Sequence, residues 1–419
     1  MKIKRQKLYI GILYTMLAGY MLGPALNYLV GIPRIDNPMT VLFLAVTALI
    51  AFAEKNRLSN KTIIAFLAVS AMSLWGGIHL LLSPLEPTQI VDILFFATLP
   101  GFFYLFYLVI SREQDKLKFI RKFLFVFAMF ICIPPVIEIA TGIPLVGIDD
   151  EVLALDAGII KGLFFNPNNL STVAVCTSAA ILFFFHAPSS SRKESLFGWL
   201  LFLMLGLVVI ASASRTATLI YSTLFMLNLV YMRNGLLTLM SVSIAAIALT
   251  QVPKIWIQNL LLSLNGNVFL ENISNRLYLF LFELESDKSV SYRQEIYDYF
   301  LQNPPLLFIG YGPKDFAPYF SGNLSDSLGF HNPHSFIIEL YLGFGLISLL
   351  GFAIYIAVYC LSILSNRYLG SKQRFIAMMG IAIFILAGFI PSTILRMPFL
   401  WFPCFLMLVY SLATSSRKQ

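Results

Sequence analysis

The sequence predicts an all-α polytopic membrane protein with about twelve transmembrane helices. Three observations predict it. The 419-residue chain is 58% hydrophobic and only 12% charged, with a mean hydropathy of +0.80, a composition that excludes an ordinary soluble domain. Apolar runs of roughly 20 residues, enough to cross about 30 Å of hydrocarbon, recur along the chain. The Lys and Arg residues gather in alternate connections, as they do around membrane spans.

Taken in order, the predicted spans fall at 8–30, 38–53, 62–83, 89–110, 120–140, 169–187, 196–212, 216–232, 235–252, 335–364, 375–395 and 397–413. The first is expected to be retained, because its apolar run is long and Ala18 to Pro24 offers no small-residue cleavage site. With Lys2, Lys4, Arg5 and Lys7 on the cytoplasmic side, alternate loops then hold most of the 29 basic residues on that side. Lys254, Arg276, Lys288, Arg293 and Lys314 share one long connection on the other side, where only Arg34, Lys161, Arg215 and Arg396 occupy short loops. Both termini are therefore expected in the cytoplasm. The formal charge of +8 belongs to this topology and not to a nucleic-acid surface. All four cysteines, Cys132, Cys176, Cys360 and Cys404, lie inside predicted spans and read as small apolar packing residues.

Three regions follow: helices 1–9 over 1–252, an extracytoplasmic cap over 253–334, and helices 10–12 with a cytoplasmic tail over 335–419. The connection at 141–168 begins acidic (Asp149, Asp150, Glu151, Asp156) and ends in FFNPNN. The cap connection carries amphipathic stretches, as at Tyr292, Ile296 and Phe300, broken by turn signals at Asn303-Pro304-Pro305 and Gly310-Tyr311-Gly312. It is too aromatic for a disordered linker. No internal repeat is visible.

Chemistry-bearing residues cluster at the extracytoplasmic side. Arg215 is the only charge between two apolar segments joined by almost no loop. An arginine there is costly enough to need a partner or a water-filled cavity, or else it is an interfacial anchor whose head snorkels to the surface. Arg293, followed by Glu295 and Asp298, is either part of a solvated charged face or a guanidinium fork for phosphate oxygens. Arg276 and Arg396 are further residues of that kind. His331 and His334, two of the four histidines, precede the tenth span; a near-neutral imidazole there suits general-base work on a hydroxyl. His-x-x-His is also a metal spacing, but no third ligand stands beside it, and a polar helix start capped by Ser335 is the plain alternative. Glu283, Glu285 and Asp287 read as a solvated acidic patch before a metal site. Asn166 and Asn168 read as a turn and cap, with amides able to bind sugar hydroxyls. P-loop, Rossmann, Ser-His-Asp and zinc patterns are missing from the sequence.

In fixed order, Asn166-Pro167-Asn168-Asn169-Leu170, Ala213-Ser214-Arg215-Thr216, Tyr292-Arg293-Gln294, Asn303-Pro304, Gly310-Tyr311-Gly312-Pro313, then His334-Ser335 with Glu339 and Gly345-Leu346-Ile347 resemble the O-antigen ligase and Wzy-type polymerase superfamily of bacterial envelope enzymes. The resemblance covers roughly residues 160–400. It implies a GT-C-like glycosyltransferase of the bacterial inner membrane, facing the periplasm, that needs no cofactor and no metal. Such an enzyme moves a glycan from undecaprenyl diphosphate to an acceptor sugar. Carried over, Arg215 and Arg293 bind the diphosphate and His334 orients or deprotonates the acceptor hydroxyl; His331, Asn166, Asn168, Arg276, Tyr311 and Arg396 complete the substrate-binding set. The family histidine is usually followed by Asn, whereas Ser335 stands here and His331-Asn332 offers a competing pair. Spacing to Glu339 and Gly345 favours His334. The expected partners are the lipid-linked donor, a glycan or lipid A-core acceptor, membrane lipids, a chain-length regulator and a flippase. A polymerase is the expectation and a ligase the alternative. A transporter is the rival from another class; unlike halves and polar groups gathered at one face speak against it.

Overall fold

The computed structural model describes residues 2–54, 58–82, 84–147, 159–230, 235–263, 268–282, 288–320, 333–391 and 393–415. His331, the Glu283–Asp287 acidic patch, and Asp149, Asp150, Glu151 and Asp156 lie outside the described residues. Among the described residues eighteen α-helices run in order: α1 Lys2–Val30, α2 Asp36–Ala53, α3 Asn60–Leu74, α4 His79–Leu82, α5 Pro87–Ala97, α6 Leu99–Arg112, α7 Lys116–Thr141, α8 Pro167–Phe185, α9 Arg192–Ala211, α10 Arg215–Val230, α11 Gly235–Thr250, α12 Lys254–Leu262, α13 Val268–Phe282, α14 Lys288–Gln302, α15 Ala317–Phe320, α16 Phe336–Ser365, α17 Ser371–Ala387 and α18 Phe402–Ser415. No strand occurs among the described residues.

Nine stretches of the described residues are long and apolar enough to cross a membrane. The other three predicted spans are α10, α11 and α17, helices of 16, 16 and 17 residues. At 1.5 Å per residue they rise only about 24–26 Å, short of a full hydrocarbon core. α17 is cut short where the helix gives way at Gly388 to a turn over 388–391. Hydropathy carried that predicted span on to 395, because the residues after the helix, Phe389 and Ile390 among them, are themselves apolar.

Local sequence sets the ends. Ser59, Asn166 and Ser335 cap α3, α8 and α16 with side-chain oxygens, and Ser191 with Glu194 makes a reciprocal capping box on α9. The most enclosed stretches are α5–α6, α8 and α18. Of these, α6 and α18 meet α7 in an aromatic core around Phe102, Phe106, Phe123 and Phe402, with Trp401 just before α18. Lipid supplies no hydrophobic drive between helices, so close backbone approach has to hold them together. Gly351 of α16 backs onto Ala68 and Met72 of α3, and Ser348 Oγ donates to Met72 O at 2.9 Å.

Contacts define two faces. On one, Glu54 accepts from Tyr9 and Arg112, Arg121 pairs with Glu194, and Asn366 donates to Ser411 and Thr414. On the other, which carries the long connections, Arg34 lies over Phe165, Phe164 packs on Phe399, and Arg396 reaches Asp92. We call the second the loop-rich face.

Candidate functional site

The loop-rich face is organised by a fault in α16. Gly345 (φ 77, ψ −169) breaks the helix at its tenth residue, and a break frees carbonyls that need donors. The 307–312 segment supplies them. Tyr311 N–H donates to Leu342 O at 2.7 Å and Gly312 N–H to Gly343 O at 3.0 Å, while Leu346 N–H donates to Leu307 O at 3.0 Å. The approach is so close that a Cβ on Gly345 would run into Phe308 O, and one on Gly310 would stand 2.6 Å from the Gly343 backbone. Gly310-Tyr311-Gly312 and Gly345 are thus parts of one interlock.

The cap helix α14 packs on the same place. Ile296 is buried with Phe316, Phe320 and Leu342. That fixes the roll of α14, so that Arg293 and Tyr297, one turn apart, share a side of the helix. Tyr297 Oη donates to His334 O at 2.8 Å and its ring meets Phe389 edge-on at 6.0 Å. Arg293 Nη1 donates to Phe389 O at 3.3 Å. Phe336 N–H, at the start of α16, donates to Gly388 O at 2.9 Å. Three elements far apart in sequence therefore converge on His334, which is held in the left-handed region (φ 45) that non-glycine residues seldom occupy. Burial and then the Arg293 guanidinium push the His334 imidazole down to about 4; it is neutral at pH 7, with a basic nitrogen. Tyr297→Phe removes one hydrogen bond, worth about 1 kcal/mol. It should lower turnover about tenfold with KM nearly unchanged in a transfer assay, since it loosens the backbone of residue 334.

A second cluster adjoins the first through the 388–397 loop. Asp92 of α5, fully buried, meets Lys314 Nζ at 3.3 Å and Arg396 Nε, while Arg396 Nη2 donates to Thr88 O at 3.0 Å. Glu339, 1% exposed, accepts from Ile394 N–H at 3.4 Å; its Oε1 has no hydrogen-bond partner among the described residues. Asp92, Lys314 and Tyr297 were missed as site residues in the sequence. Asp92 carried a usable signal, a lone acid inside the apolar run PTQIVDILFF.

The remaining sequence candidates are placed as follows. Arg215 is half-buried at the first residue of α10, which packs on α8, α9 and α17; α17 runs into the 388–397 loop. Asn166 Oδ1 accepts the Asn168 N–H at 2.8 Å, and Asn168 O accepts the Ser171 and Thr172 hydroxyls, so both serve the α8 cap. Tyr311 is 40% exposed, its ring 6.3 Å from Tyr319. Arg276 is half-buried on α13, a helix that packs on α12 and α7. Among the described residues no group of three or more His, Cys, Asp or Glu side chains is arranged to hold a metal ion.

Fold and site together define a multi-pass membrane protein with cationic side chains and an imidazole gathered on one face. Residues 199–353 match the family model described as O-Antigen ligase. That match supports the likeness to the O-antigen ligase and Wzy-type superfamily which the motifs carry. The matched stretch runs from α9 through the break in α16 and includes Arg215, Arg293, the Gly310–Gly312 interlock and His334. No curated protein matches this chain.

Proposed function

We propose that the protein is an inner-membrane glycosyltransferase that polymerises envelope polysaccharide, moving a glycan from undecaprenyl diphosphate to an acceptor sugar on the periplasmic face. The observation that carries this is the convergence of Arg293 and Tyr297 of α14 on Phe389 and on the backbone of His334. The acceptor hydroxyl attacks the anomeric carbon and its proton passes to His334. The bond from that carbon to the diphosphate oxygen breaks, and the charge left on the diphosphate is met by Arg293 and Arg215. Bound diphosphate also offsets the Arg293 charge, which makes His334 a stronger base once substrate is in place.

The basic residues on the face opposite the site, such as Arg5, Arg112 and Arg121, support cytoplasmic termini and a periplasmic site. His331, Asn166, Asn168, Arg276, Tyr311 and Arg396 are proposed to contact substrate, and a chain-length regulator and flippase are the proposed partners. The second reading is ligation of finished polymer to lipid A-core, favoured by the description of the matched family.

Lipid profiling of a strain carrying His334→Ala separates the two. Carrier-linked single repeat units accumulate if polymerisation is lost; long carrier-linked chains accumulate if ligation is lost. A normal profile removes His334 from the chemistry. In purified enzyme, kcat/KM should stay flat from pH 7 to about 5 and fall as pH drops toward 4, because the base must be unprotonated and its value in the free enzyme is lowered.

A further inference from the structure

Residues 304–312 belong by sequence to the cap, yet they run beside α16 far below its first turn. Leu346, which donates to Leu307 O, stands ten residues past Phe336, or about 15 Å along the helix axis. A second helix gives an independent depth. The Phe308 ring meets Trp75 edge-on at 5.9 Å, and Trp75 lies seven residues before the end of the apolar stretch Asn60–Leu82. His79 Nε2 lies 3.3 Å from Ile309 O. The segment enters at the level of Tyr341, whose hydroxyl donates to Pro305 O at 2.5 Å, is deepest near 307–309, and has risen again by Gly312.

We propose that residues 304–312 form a re-entrant element whose Leu306–Phe308 edge lies in the acyl-chain layer of the bilayer, so that lipid anchors the cap. This stands independently of the glycosyl-transfer reading. Leu306 is 95% exposed and Phe308 61% exposed, and on the neighbouring α4 Leu81 and Leu82 are exposed as well. Grouped apolar surface of this kind is unusual against water and costs nothing against hydrocarbon. Irregular backbone at membrane depth has to find partners within the protein. Here Leu307 N–H donates to the Tyr341 hydroxyl at 3.2 Å, and Leu307 O, Tyr311 N–H and Gly312 N–H are satisfied by α16. Pro304 and Pro305 enter the element with no N–H to satisfy.

The test is nitroxide accessibility on the full-length protein in phosphatidylcholine–phosphatidylglycerol bilayers. Labels are placed at Leu306→Cys and Phe308→Cys, with Leu81→Cys on α4 as the lipid reference and Leu301→Cys on α14 as the aqueous reference. The protein without added cysteine accounts for signal from native thiols. Oxygen, which partitions into hydrocarbon, should relax the 306 and 308 labels as it does 81, and a water-soluble nickel chelate should reach them several-fold less than it reaches 301. Nickel access at 306 equal to that at 301 would mean a water-filled cleft or a cap standing clear of the membrane, and would overturn the proposal.

Discussion

Arg293→Ala is expected to lower turnover by about 10²- to 10³-fold, the usual effect of losing one fixed donor to charge that develops in a transition state. It should leave a second signature. Arg293 is one of the two causes that hold His334 low, and removing a neighbouring cation raises an imidazole's pKa. The acid limb of kcat/KM should therefore move up from about 4 toward the ordinary histidine value of about 6.5, stopping short because burial, the larger cause, remains. Arg293→Lys keeps the charge and should keep the low limb, yet it loses the planar fork and with it most of the rate. An Arg293→Ala enzyme whose limb does not move would show that the two side chains are uncoupled in solution. Unchanged turnover would remove Arg293 from the site.

Gly345→Ala carries the largest expected structural effect. At φ 77, ψ −169 Gly345 occupies backbone space that is essentially glycine's alone, and forcing another residue there costs about 1–3 kcal/mol. The added methyl would also meet Phe308 O, so the 307–312 segment must move or the break must close. Either outcome unseats the donors to Leu342 O and Gly343 O. Recovery of folded protein should drop sharply, and the remainder should have lost nearly all transfer activity. Gly343→Ala is the control, because a Cβ there meets its nearest neighbour at an ordinary 3.5 Å and the residue is helical. Equal behaviour of the two variants, measured by thermal unfolding and transfer rate, would mean the interlock does not matter.

The structure also shows why the motifs could be read and where reading stopped. Ser335 was legible as a helix cap because capping is local chemistry, and it does accept from Ile338 N–H. Ile296 was legible as the buried face of a cap helix because its neighbours repeat at helical spacing. The break at Gly345 was not legible as a break. It sits in an apolar run whose hydropathy is uninterrupted, and a glycine there reads equally well as helix-packing space. The partnership of Asp92 with Lys314 and Arg396 was hidden for another reason, since those residues lie more than 200 positions from Asp92.

The sequence by itself determined the class: a helical chain of membrane-length apolar runs, with motifs in the order that resembles the O-antigen ligase and Wzy-type superfamily. Those properties are carried by composition, periodicity and residues adjacent in the chain. Tertiary structure decided which cation stands beside His334, that Tyr297 holds its backbone, and that part of the cap lies against the interior of a broken helix. Each of these is a contact between segments that only folding brings together. No local propensity encodes which of several arginines will meet a given imidazole.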